Sequence, residues 1–154
     1  MKKKIVLTFS SAFGLGYMPK APGTWGTLMG IPIWWALSDL TWPMYLLATA
    51  AVTGFAIWIS EHADRIYGEH DRGEIVIDEV VGLMISVVGV PFAWPQVVVA
   101  FVLFRIFDIV KPPPVRWIDQ KLGGGAGVVL DDTAAGLYAL AVMHGLRLLW
   151  GGWW

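Results

Sequence analysis

Two apolar stretches of this chain are each broken near the middle, and those breaks restrict the folds open to it. Residues 27–59 are too long for one membrane crossing and are interrupted at 39–43, while residues 80–104 are interrupted at 91–95 by Pro91 and Pro95. A helical crossing takes about 20 apolar residues at about 1.5 Å of rise each, through a hydrocarbon core of roughly 30 Å. The 11-residue runs 27–37 and 80–90 therefore reach only about half way. Runs 42–59 and 134–150 come close to full length. The expected architecture is all-α: one domain over residues 1–154, a multi-helical integral membrane protein with short, hairpin-forming helices, some of them shallow or re-entrant. Composition requires lipid as a second solvent. Mean hydropathy is +0.62, with 56% hydrophobic and 15% charged residues, where a soluble chain carries about 25% charged.

In the hairpin arrangement the loops at 10–26, 60–79 and 105–133 fall on one side. Ten of the eleven Lys and Arg residues, all but Arg147, then lie there, with eleven of the twelve acids, all but Asp39. The other side holds Trp42, Pro43, Pro91, Trp94, Pro95, Trp150, Trp153 and Trp154. Indole rings favour the membrane–water interface, and the excess of Lys and Arg marks the charged side as cytoplasmic. A net charge of −1 gives no case for nucleic acid, and the absence of Cys removes disulfides, thiol nucleophiles and zinc–thiolate sites. The first 13 residues carry three Lys and a brief apolar run that Thr8, Ser10 and Ser11 interrupt, so they read as part of the mature chain.

The stretch 104–136 sets Arg105, Asp108, Lys111, Arg116, Asp119, Lys121, Asp131 and Asp132 between two apolar segments. Acidic residues stand at expected helix ends: Asp78 and Glu79 before Val80, Asp108 after Phe104, and Asp131 and Asp132 before Ala134. Carboxylates from separate helix ends can converge on a hard divalent cation such as Mg²⁺, with substrate phosphate and water completing the octahedron. Each acid could instead cap a helix or complement its dipole. Capping does not explain Asp108, which falls near a helix C-terminus, where an acid is unfavourable. Arg105, Asp108 and Lys111 follow at i, i+3 and i+6 and share roughly one face, as an ion-pair ladder or as cations flanking a bridged phosphate. In the Gly- and Pro-rich loop 10–26, Lys20, Thr24 and backbone N–H groups around Gly23 could contact an anion, and Thr24 could equally be the N-cap of the next helix. Gly123, Gly124, Gly125 and Gly127 could approach a phosphate through backbone N–H groups, but they match no P-loop and read foremost as a flexible linker. Glu61 and Asp64, spaced i, i+3 after a long helix, could add a ligand or a base and more often make a solvated helix end, and His144 reads as a packed or interfacial residue.

Among phosphatase chemistries, cysteine nucleophiles, an Asp-x-Asp aspartyl-phosphate motif and the His arrangements of acid-phosphatase-like lipid phosphatases are missing. Water activated by a metal or by a carboxylate remains. A rival reading is a small membrane transporter or channel with an acidic cation site, although transporters place ionisable groups mid-span and these acids gather at one interface.

The segments PKAPGTWGTL (19–28), IVIDEVVGLMIS (75–86), FRIFDIVKPPPVRWID (104–119) and LDDTAAGLYA (130–139) resemble the phosphatidylglycerophosphatase A family, in the family's order. The resemblance implies a magnesium-dependent enzyme of the bacterial inner membrane. It would remove the terminal phosphate of phosphatidylglycerophosphate at the cytoplasmic leaflet to leave phosphatidylglycerol, with membrane lipids around it. Carried onto this chain, the acidic motif positions are Asp78, Glu79, Asp108, Asp131 and Asp132, and the cationic ones Arg105 and Lys111. The family usually has an aromatic within the Lys-Pro-x-Pro segment, where this chain reads Lys111-Pro-Pro-Pro, a change expected to stiffen the loop.

Overall fold

The computed structural model describes residues 3–149, so Trp150, Trp153 and Trp154, expected in the aromatic belt, lie outside the described residues. Those residues form seven α-helices and one 3-10 turn, with no strand among them: α1 (Lys3–Ser10), the turn Leu15–Tyr17, α2 (Pro22–Leu37), α3 (Trp42–Tyr67), α4 (Ile77–Ser86), α5 (Trp94–Val110), α6 (Val115–Lys121) and α7 (Gly124–Leu149). Proline sets several of these boundaries. Pro22, Pro43 and Pro95 sit in the first turns of α2, α3 and α5, where a missing N–H leaves no bond unmade. Lys111 ends α5 at φ 48, immediately before Pro112. The two sequence breaks become the α2–α3 and α4–α5 hairpin turns.

The short helix α4 is the centre of the molecule, with nine of its ten residues buried. A helix covered on every side is apolar all round, and here only Asp78, Glu79 and Ser86 depart from that. Val81 and Ile85 pack with Ala56, Ile59 and Ala63 of α3 and Val129 of α7. Leu83 packs with Trp34, Tyr45, Val97 and Met143. The Tyr45 hydroxyl, buried among them, donates to the Met84 carbonyl at 3.1 Å. Close crossings depend on glycine. A Cβ on Gly136 of α7 would stand 2.5 Å from the Gly82 carbonyl oxygen of α4, and one on Gly82 would stand 2.2 Å from the Phe104 ring.

Helices α3 and α7, 26 residues each, are long and apolar enough to cross a membrane. The outer surface carries Trp35, Leu47, Trp94, Val98, Ile109, Leu137 and Leu148, all exposed. So large an apolar exterior suits lipid rather than water. This is an all-helical membrane protein. At one end Trp34, Trp42, Pro91 and Arg147 line a shared cavity, so the belt residues and the outlying arginine meet there.

Several local expectations need correction. Thr24 does not cap α2: the helix begins at Pro22 behind Ala21, which is left-handed at φ 48, and Thr24 lies in the first turn with its N–H bonded to the Ala21 carbonyl. The charged segment 60–79 is not all loop, because α3 runs on to Tyr67. Residues 123–127 are not a linker either. Gly124 opens α7, and a Cβ on Gly125 would stand 2.0 Å from the Ile57 carbonyl oxygen, so this glycine lets α7 touch the backbone of α3. Asp131 and Asp132 consequently stand about two turns inside α7 instead of ahead of it.

Candidate active site

The Gly82–Gly136 crossing explains how distant acids meet. Asp78 lies four residues before Gly82 on α4, and Asp132 four residues before Gly136 on α7. One helical turn is about 3.6 residues, so each acid stands about one turn from the point where the two backbones touch. Asp78, Glu79 and Asp132 thereby place one carboxylate oxygen each within 4.8 Å of one another. The geometry bears on the choice of cation. Opposite ligands of an octahedral Mg²⁺ lie about 4.2 Å apart, twice the ~2.1 Å bond, so three oxygens on this scale suit one small hard ion.

Burial sharpens the point. Asp78 and Asp132 are 7% and 3% exposed, and Asp78 Oδ1, Glu79 Oε2 and Asp132 Oδ2 are buried without a hydrogen-bond partner. A buried, unpartnered carboxylate oxygen costs about 1–3 kcal/mol or more, and crowded carboxylates repel one another. A divalent cation held among the three would relieve both penalties, so the residues present fit such an ion.

Around this cluster stand the other groups. Asp108, in the last turn of α5, lies within hydrogen-bonding reach of Asp132. It also pairs with Arg105 one turn earlier, at 2.8 Å. That contact lacks hydrogen-bond alignment, and Arg105 Nη1 is buried with no hydrogen-bonded partner. The first turn of α2 closes the arrangement, since a Cβ on Gly23 would stand 2.2 Å from Glu79 Oε1 and 3.2 Å from Arg105 Nη1. Asp131 points elsewhere. Its Oδ2 receives Lys111 Nζ at 2.8 Å, and the same ammonium donates to Asp119 of α6. These two bonds to acids, working against desolvation, hold the Lys111 ammonium well above its ordinary pKa.

Of the residues expected from sequence, Asp78, Glu79 and Asp132 thus form one cluster, with Asp108 and Arg105 against it. Lys111 and Asp131 form an adjoining ion pair. Thr24 lies half-buried in the α2 first turn beside Gly23, and Lys20 is exposed, its carbonyl accepting Trp25 Nε1 at 3.2 Å. Glu61 and Asp64 lie outside the cluster: Glu61 Oε2 receives the Gly125 N–H at 2.8 Å at the start of α7, and Asp64 binds His70 Nδ1 at 2.7 Å. His144 Nε2 contacts the Val88 carbonyl at 2.9 Å, in the turn after α4.

Two acids near the site had no assigned role in the sequence reading. Asp119 reaches Lys111 only because α6 folds back across the proline turn, which no periodicity announces. Asp71, at φ 50, feels Lys111 most strongly among its neighbouring charges, while burial raises its pKa. Ala21, Asp71 and Lys111 are all left-handed non-glycine residues beside this end of the molecule, and such strain gathers at functional sites.

Fold and site together define a class: a helical membrane protein whose converging helices hold a buried carboxylate cluster with cations beside it. Residues 8–147 match the phosphatidylglycerophosphatase A family, and the chain belongs to that family. It is 35% identical to phosphatidylglycerophosphatase A of Escherichia coli over 90% of this chain and 81% of the relative. The Haemophilus influenzae protein of the same name is 38% identical, over 88% and 84%. A Bacteroides thetaiotaomicron protein with the provisional name phosphatidylinositol-3-phosphatase is 40% identical, over 92% of each. No solved structure matches the chain.

Proposed function

We propose that this protein is a phosphatidylglycerophosphatase, a phosphoric monoester hydrolase that releases phosphate from a lipid headgroup at the cytoplasmic face of a bacterial inner membrane. The observation that carries the reading is the buried cluster of Asp78, Glu79 and Asp132 with unpartnered oxygens, set against Arg105 in a chain of this family. These three carboxylates would hold Mg²⁺, with Asp108 and Asp131 beside them. When bound, the ion supplies charge neutralisation for the phosphate.

The side chains divide the remaining work. Arg105, whose Nη1 has no hydrogen-bonded partner, donates to the phosphoryl oxygens as charge builds on them. Lys111, fixed between Asp119 and Asp131, adds positive potential from the adjacent side. Thr24 and Lys20 would add contacts to the phosphate from the α2 first turn and the loop before it, where Gly23 packs against Glu79. Asp108 touches Asp132 and Arg105, the position from which a carboxylate can take a proton from the attacking water. Burial between α2, α4, α5 and α7 limits solvent and strengthens each interaction.

The test is phosphate release from phosphatidylglycerophosphate by the purified chain in detergent, with Mg²⁺ and with excess chelator. Chelator should abolish turnover. Asp108→Asn and Asp132→Asn should each lower kcat by about 10²–10⁴-fold, the usual scale for a lost acid–base or charge-stabilising group, while the protein still folds. Wild-type protein that releases no phosphate would overturn the proposal. The Bacteroides relative makes phosphatidylinositol 3-phosphate the comparison substrate. Faster release from that lipid would transfer the activity to another headgroup without changing the site.

A further inference from the structure

An apolar groove of about 280 Å³ opens between α6 and α7, lined by Pro114, Ala134, Leu137, Tyr138 and Ala141. Ala134, Tyr138 and Ala141 follow Asp131 at +3, +7 and +10, so they continue the α7 face that carries the Asp131–Lys111 pair. The groove therefore starts about one turn from the polar site and runs away from it. Its floor is fixed, because the Tyr138 ring stacks on Phe107 at 5.2 Å between centroids and its hydroxyl donates to the Pro113 carbonyl. That bond occupies the tyrosine donor and leaves an apolar trough.

We propose that this groove seats one acyl chain of the lipid whose phosphate lies at the carboxylate cluster. The inference rests on the lipid-phosphatase reading above and specifies how the substrate enters. Length supports it: the lining from Ala134 to Ala141 spans seven residues, about 10 Å, so the groove takes about two thirds of a chain crossing a leaflet about 15 Å deep. Continuity supports it too, since a chain in this trough leaves its headgroup beside Lys111 and Asp131. The cavity containing Arg147 stands at the opposite end of the molecule, among Trp34, Trp42 and Pro91, and cannot serve the same substrate.

The groove acts as a ruler, and chain length reads it. Ala141 lies at its far end, beyond the reach of a six-carbon chain. The experiment compares kcat/KM for dioleoyl and dihexanoyl phosphatidylglycerophosphate in the same mixed micelles, for wild type, Ala141→Phe, Ala141→Trp and Val98→Trp. Filling the far end with Trp should lower the dioleoyl-to-dihexanoyl ratio by about 10-fold, and Phe by less, the loss of about two buried methylenes. Val98→Trp, on the lipid-facing side of α5, should keep the wild-type ratio. An unchanged ratio in both Ala141 variants would overturn the groove, as would equal loss on both substrates. A shift in oligomeric state with no chain-length effect would overturn it as well, in favour of a second copy packing there. Wild-type protein inactive on both lipids would instead sink the phosphatase reading, and the groove with it.

Discussion

At the scale of single residues, the site is a stability liability that a bound cation would offset. Replacing Asp132 by Asn removes one acid from a crowded, buried set and offers amide donors to the Asp108 carboxylate within reach. Relief of buried like-charge repulsion should raise the metal-free unfolding midpoint by about 3–6 °C, taking about 1–2 kcal/mol at 2–4 °C each. Mg²⁺ should stabilise wild type, and the same variant should lose that gain. A thermal scan in detergent, with chelator and then with Mg²⁺, checks both, and lowered metal-free stability would contradict the charge-relief account. A second residue-scale device lies outside the membrane segments. The hydrogen bond that His70 Nδ1–H donates to the Asp64 carboxylate raises the pKa of His70 above its ordinary value of 6.5, helped by the charges of Asp64, Asp71 and Asp119 against a smaller desolvation effect. A group whose folded-state pKa is raised contributes stability in full below its unfolded value and loses it as pH rises through the folded value. The unfolding midpoint should therefore decline as pH rises from 6 upward through neutrality, and Asp64→Asn should flatten that decline.

At the scale of elements, two glycines decide whether the acids meet. Gly136→Ala places a methyl 2.5 Å from the Gly82 carbonyl oxygen and 3.1 Å from Ile85 Cβ, against backbone that cannot step aside. Overpacking of this kind costs about 1–3 kcal/mol, and here it also spreads α4 from α7 one turn from Asp78 and Asp132. Gly54→Ala is the control, since a Cβ there meets nothing within 4 Å and lies in the interior of α3. It should stabilise by about 0.5–1 kcal/mol through helix propensity alone. Mg²⁺ titration calorimetry should show weakened binding in Gly136→Ala and none of that loss in Gly54→Ala. These glycines also mark where reading the sequence stopped. Pro91, Pro95 and the break at Asp39, Thr41 and Pro43 announced the two hairpins, because a proline at a helix start follows from local chemistry. The beginning of α7 was not announced: Gly123, Gly124, Gly125 and Gly127 carry every local signal of a linker. Their helical state follows from the close approach to Ile57 and from Glu61 accepting the Gly125 N–H, contacts across more than sixty residues. Asp131 and Asp132 were misplaced as helix-start residues for the same reason. Asp78, Glu79 and Asp108 stood out because acids beside apolar runs demand an explanation, whereas Asp119 needed the α6 fold-back to acquire a partner.

At the scale of the whole molecule, the chain separates its charge. The acids and their cations gather where α2, α4, α5 and α7 meet, and the opposite end presents Trp34, Trp42, Pro91 and Trp94 with Arg147 as its outlying cation. The hairpin reading of the sequence sets ten of the eleven Lys and Arg residues on the acidic side, and the positive-inside rule counts those residues and not net charge. The carboxylate excess therefore does not oppose a cytoplasmic orientation. A chain without cysteine allows a direct measurement. Gly123 has open space around its Cα and precedes α7 near the acidic end, while Asp39 lies in the α2–α3 turn at the other end. In intact spheroplasts a membrane-impermeant maleimide should label Asp39→Cys and should leave Gly123→Cys unlabelled until the membrane is opened. Both variants should keep wild-type turnover, which ties the labelled population to folded protein. The reverse pattern would place the carboxylate cluster on the outer leaflet, where a lipid phosphate made inside the cell reaches it only after crossing the bilayer.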